Sequence, residues 1–135
     1  MQEAVNSGLI DAIATDHAPH LLNEKEGGAL KAMSGMPMIQ FSLVSMLELV
    51  DKGIFPIEKV VEKMSHAPAQ MYQINNRGFI HKGYQADLVL VRPDSEWTVT
   101  ADCILSKCKW SPLEGRTLHW KVEKTFVNGH LLYNN

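Results

Sequence analysis

Asp16-His17-Ala18-Pro19-His20 gathers a carboxylate and two imidazoles, the groups that bind a divalent metal or carry a proton at neutral pH. Either task needs such groups at the rim of a dry surface, open to a small molecule. The residues in front provide that setting. Leu9-Ile10-Asp11-Ala12-Ile13-Ala14 is an apolar run of small and β-branched side chains. It has the pattern of a strand covered on both faces and predicts a strand over residues 9–15 that ends at Asp16. Open parallel sheets and α/β barrels collect catalytic groups at the carboxyl ends of their strands. Pro19 restricts the backbone so that His20 can reach the same cleft as Asp16. Spacing alone leaves Asp16 equally balanced between a functional carboxylate and one that only caps the loop, and it favours a structural, loop-orienting role for His17.

The elements that position these residues follow in order. Residues 2–7 read as the last turn of a helix, with Gly8 as punctuation before the strand, and residues 21–31 form a charged loop containing Gly27 and Gly28. Ser34-Gly35-Met36-Pro37 opens a helix over 38–52, with Pro37 in its first turn and Ile39, Phe41, Val44, Leu47 and Val50 turned inward. Met36, Met38 and Met46 read as gap-filling core. Gly53 ends this helix, Pro56 starts a second over 56–64, and Ser65 and Pro68 start a third over 68–73. After Asn75-Asn76-Arg77-Gly78 the apolar period changes from helical to alternating, which predicts a boundary near residue 75. Strands are predicted over 86–92 and 97–100, with Trp97 and Val99 sharing a face. A hairpin is predicted over 125–133 around Asn128-Gly129, a pair that accepts positive φ at both central positions.

The Asp-His-Ala-Pro-His stretch resembles the end of the last barrel strand in dihydroorotases, the cyclic amidohydrolases of pyrimidine biosynthesis. Gly35-Met36-Pro37, Ser65-His66-Ala67-Pro68-Ala69 and Trp110-Ser111-Pro112-Leu113-Glu114-Gly115 continue the resemblance in the same order, and residues 83–90 carry a feature shared more widely among amidohydrolases. At Ala67 the chain departs from the capping Asn that related sequences commonly carry. The resemblance implies an α/β fold: the C-terminal portion of an amidohydrolase (β/α)8 barrel over residues 1–75, and part of a small β-sandwich subdomain over 76–135. It implies the zinc-dependent, reversible cyclisation of N-carbamoyl-L-aspartate to L-dihydroorotate. By the same match Asp16 is a zinc ligand and the proton carrier, while His20, Ser34 and Gly35 bind the substrate carboxylate. The Trp110 motif reads as an apolar anchor followed by a turn, without chemistry of its own.

A binuclear zinc site of that family also needs a His-x-His pair, two further histidines and a carboxylated lysine. The sequence contains no His-x-His, and a (β/α)8 barrel takes about 250 residues. The expectation is therefore a C-terminal fragment, inactive alone and not retaining zinc. Its partners would be a small-molecule substrate and the missing N-terminal part of the same enzyme, with a second copy or aspartate transcarbamoylase as the protein partner. Two alternatives compete: an allantoinase- or hydantoinase-type cyclic amidase, against which His20 speaks, and a non-catalytic dihydroorotase-like subunit supporting aspartate transcarbamoylase.

The totals suit a soluble enzyme piece. Of 135 residues, 45% are hydrophobic and 21% charged, which excludes a disordered chain. A net charge of -2 gives no reason to expect nucleic acid or an anionic membrane as partner. No apolar run approaches the roughly 18 residues of a membrane span, and no signal peptide precedes the first element. Cys103 and Cys108 read as reduced thiols, and the expected location is the cytoplasm.

Overall fold

Helix α2 (Ser42–Asp51) is apolar around most of its circumference, and its faces serve two clusters. Phe41 and Val44, one turn apart, pack with Val99, Ile104 and Leu118. Leu43, Met46, Leu49 and Val50 turn the other way, onto Val5, Phe55 and Val60. A helix apolar on both sides must be covered on both, so α2 joins the beginning of the chain to its later part. The computed structural model describes residues 1–135 as a mixed α/β chain with two small sheets. Helix α1 (Gln2–Asn6) precedes a long irregular segment, and a 3-10 turn, Ile39–Phe41, leads into α2.

The end of α2 shows why Gly53 stops it. Gly53 adopts φ 69°, its N–H donates to the Val50 carbonyl and the Ile54 N–H donates to Leu49. This six-to-one, five-to-two pattern satisfies the last carbonyls and needs a left-handed residue at the Gly53 position.

Helices α3 (Ile57–Val61) and α4 (Ala67–Met71) were expected as separate elements. They are joined without a break by a π-helical turn, Glu62–His66. Pro68 is the cause. It has no N–H to offer within the helix, and the chain widens one turn ahead of it instead of stopping. The Ala67 N–H, which would reach Lys63 in an α-helix, donates to Glu62.

The larger sheet is antiparallel in the order β1-β4-β5: β1 (Leu88–Arg92), β4 (Lys121–Val127) and β5 (His130–Asn134). Asn128 (φ 51°) and Gly129 (φ 79°) make the expected two-residue hairpin turn. Asp87 fastens that turn by accepting the Asn128 N–H at 2.7 Å. The smaller sheet pairs β2 (Trp97–Thr98) with β3 (Thr117–Leu118), which places Trp97 and Val99 against Phe41 in the first cluster.

Three expectations are corrected. Residues 9–15 form no strand. A strand exists only through a neighbour's ladder, and the sole rung near this segment is a parallel bridge between His17 and Met36. The helix over 38–52 begins at Ile39, so Pro37 lies before it, buried, and not in its first turn. Ile39 (62% exposed) and Met36 (47% exposed) lie outside the core, whereas Phe41, Val44 and Leu47 are buried as expected.

Candidate active site

The apolar segment ahead of Asp16 is docked by a backbone bond that the Ser65-His66-Ala67-Pro68-Ala69 stretch makes available. The π turn diverts the Ala67 N–H to Glu62, and the Lys63 carbonyl accepts the Ile13 N–H at 3.0 Å. Ile10 and Ile13 also pack on the Val5–Phe55–Val60 cluster. The segment is thus pinned to a helix, not to a sheet, just before the residues of interest.

Asp16 bends the chain at φ 45°, a left-handed conformation that Asp tolerates better than most residues but that still costs energy. Its carboxylate is exposed and accepts no hydrogen bond within the chain. A loop cap would show such a bond, and within this chain Asp16 makes none.

His17 orients the loop. Its Nδ1 accepts the Ile39 N–H at 3.2 Å, which puts the ring proton on Nε2. Its backbone pairs with Met36, and the Ala18 N–H donates to the Met36 carbonyl at 3.1 Å. Gly35 lies beside this rung at φ 87°, where a Cβ would come within 2.5 Å of the Ala18 Cβ. Only glycine lets the two segments meet so closely. The fold therefore joins residues 17–18 to residues 35–36.

His20 presents a half-buried imidazole, with Nδ1 3.8 Å from the Glu24 carboxylate. Its own N–H donates to Ala18 and its carbonyl accepts the indole N–H of Trp110 at 2.7 Å. Ser34 is exposed and its hydroxyl makes no bond within the chain. Lys25 donates to the Met33 carbonyl and, at 2.8 Å, to the Gly35 carbonyl, with its ammonium 5.9 Å from the centre of a Trp110 ring. Sequence reasoning passed over Lys25, which a charged loop gives no means of distinguishing. It noticed the Trp110 motif but had no signal for a partner so distant in the chain.

The other histidines lie apart. His66 stacks on Phe79 at 4.2 Å, His81 leans on Tyr84, and His119 pairs with Glu48. No three His, Cys, Asp or Glu side chains converge to hold a metal ion. A catalytic zinc takes three protein ligands, so this chain's donor set does not by itself make such a site, and Asp16 could contribute only one bond to it.

A model described as the amidohydrolase family matches residues 1–132. The dihydroorotase of Clostridioides difficile is 42% identical over 98% of this chain and 31% of that protein. The dihydroorotase of Pyrococcus furiosus is 37% identical over 94% of this chain and 30% of its own length. Among solved structures, the L-hydantoinase (dihydropyrimidinase) of Arthrobacter aurescens superposes with a TM-score of 0.92 at 31% identity, over 98% of this chain and 31% of that one. A D-hydantoinase from Thermus sp. reaches a TM-score of 0.89 over 98% of this chain and 30% of its own, and its 23% identity speaks for the fold alone. The chain thus spans about a third of the length of the curated relatives it matches. It belongs to the amidohydrolase family.

Proposed function

We propose that the sequence is the C-terminal part of a dihydroorotase, which hydrolyses the cyclic amide of L-dihydroorotate to N-carbamoyl-L-aspartate and catalyses the reverse closure. The observation that carries this reading is the 42% identity to a curated dihydroorotase over 98% of the chain. On this reading residues 1–75 close a (β/α)8 barrel and residues 76–135 supply part of a β-sandwich. The substrate is a small molecule carrying a carboxylate.

Asp16 is the catalytic residue. Its carboxylate takes a proton from the attacking water as the new C–O bond forms, and passes it to the nitrogen as the C–N bond breaks. It would also give one bond to zinc, with the remaining donors supplied from outside these residues. Zinc, when bound, acidifies water and polarises the amide. His20 donates to the substrate carboxylate, and Ser34 and the Gly35 backbone support the same group. The free carboxylate of Asp16 and the rung that seats Gly35 beside residues 17–18 support these roles.

A second reading, a hydantoinase-type amidase, is favoured by the likeness to L-hydantoinase at 31% identity. The deciding experiment assays the full-length protein, loaded with zinc, on dihydroorotate and on hydantoin. Turnover of dihydroorotate is expected. Turnover of hydantoin alone would transfer the assignment to the second reading, and turnover of neither would leave a non-catalytic subunit.

A further inference from the structure

Residues 20–36 are held locally by a 3-10 turn, Leu22–Lys25, by a turn in which the Gly28 carbonyl accepts the Lys31 and Ala32 N–H groups, and by the Met33 N–H donating to Glu24 at 3.0 Å, yet Leu22 and Leu30 are 64% and 100% exposed. Two side chains nevertheless grip this loop, each by the carbonyl of a residue assigned to the substrate. The Trp110 indole holds the His20 carbonyl at 2.7 Å, and the Lys25 ammonium holds the Gly35 carbonyl at 2.8 Å. The same ammonium reaches Met33 and lies over the indole, so the two grips touch.

We propose that Lys25 and Trp110 are positioning residues that clamp the 20–36 loop and thereby present the His20 imidazole and the Gly35 N–H to the substrate carboxylate. The proposal rests on the dihydroorotase reading. With its backbone N–H bound to Ala18 and its carbonyl to Trp110, His20 has only its ring left to offer a ligand. The Gly35 carbonyl is taken by Lys25 while its N–H donates to nothing in the chain, which leaves a donor suited to an anion.

The clamp is anchored at its far end. Ser111, only 6% exposed, takes the Leu113 N–H on its hydroxyl at 3.2 Å, and the Gly115 N–H donates at 2.8 Å to Val99, a fully buried core residue. Lys109 donates to the carbonyl of Ile104, also buried in that cluster, at 3.0 Å. The Trp-Ser-Pro-Leu-Glu-Gly motif is thus a rigid turn on the core that extends one indole across to the loop.

The test uses the full-length protein with Trp110→Phe, which keeps the ring and loses the N–H, with Lys25→Met, which keeps the stem and loses the charge, and with Lys25→Arg as conservative rescue. Hydrogen exchange of amides 20–36 and the kinetics of dihydroorotate hydrolysis are read together. Both disruptive variants should exchange faster in that loop and raise KM about tenfold with kcat within about twofold, the pattern of lost uniform binding. Lys25→Arg should restore both readouts. Unchanged loop exchange, or faster exchange with KM untouched, would overturn the clamp. If Trp110→Phe loosens α2 as well, Lys25→Met on the loop surface decides the matter by the same criteria. If the unsubstituted protein does not hydrolyse dihydroorotate, the substrate reading fails, and loop exchange still decides whether the clamp exists.

Discussion

Glu48 and His119 bind helix α2 to the turn between β3 and β4: the His119 Nδ1 lies 3.1 Å from one carboxylate oxygen of Glu48, and the other accepts the Trp120 N–H at 3.3 Å. Burial works to raise the Glu48 carboxyl, but hydrogen bonds from the His119 backbone and ring, the imidazole charge and the Trp120 N–H together hold it below the ordinary carboxylate value. His119 is shifted upward, first by its hydrogen bond to Glu48 and then by the charges of Glu48, Glu96 and Asp51. A raised histidine stabilises the fold fully below its unfolded value, about 6.5, and loses that contribution as pH climbs through the folded value. A lowered carboxylate contributes above about 4.5 and loses its share as pH falls through its folded value. The latch is therefore strongest between about pH 4.5 and 6.5. The urea midpoint should fall as pH rises from about 6.5 through the raised His119 value, and Glu48→Gln should flatten that fall. An equal fall in Glu48→Gln would show that another group is responsible.

Core packing gives a second expectation. Phe41→Ala empties a position that is 2% exposed and should cost about 3–5 kcal/mol, whereas Ile39→Ala, at 62% exposure, should stay within about 0.5 kcal/mol. Denaturant unfolding of the two variants side by side measures the difference. Similar losses would mean that the Phe41 cluster is not the core of this half.

Gly35 and Gly8 form a controlled pair, with φ 87° and 84°, one against the Ala18 Cβ and the other in open space. Alanine at Gly8 carries only the backbone cost of about 1 kcal/mol. At Gly35 the overlap adds to it and should part residues 17–18 from 35–36. Gly35→Ala should therefore be clearly the less stable in thermal unfolding, and in the full-length protein it should raise KM for dihydroorotate. Equal losses would remove the close approach from the account.

Asp16→Asn keeps the shape of the side chain and removes its basicity. Turnover of dihydroorotate by the full-length protein should drop about 10²- to 10⁴-fold, the usual worth of a positioned acid–base group. Activity near that of the unsubstituted protein would clear Asp16 of the role.

What could be read from the sequence depended on how far apart the partners lie. Asn128-Gly129 needs only its neighbours to make a turn, and the inward positions of α2 repeat within a few residues, so both were legible. The segment before Asp16 has the composition of a strand, but pairing is non-local and no strand of this chain lies beside it. Pro68 looked like a helix start because its missing N–H is as consistent with a start as with a widened turn. Asp16 stood out through the resemblance of its stretch, since spacing alone balanced a functional carboxylate against a capping one and the strand expected before it is absent. The grip of Trp110 on His20 was not legible, because no local pattern reports a bond between residues 90 apart.

The order β1-β4-β5 also fixes a schedule. β4 and β5 meet through a two-residue turn and can zip within microseconds. β1 must wait for β4, the strand of this chain it pairs with, which begins at Lys121, well after Arg92. At roughly 5–20 residues per second on the ribosome that gap takes about 1.5–6 s to synthesise, and until then β1 has no ladder from β4. That interval is when a chaperone or a neighbouring nascent chain has its best access to this strand.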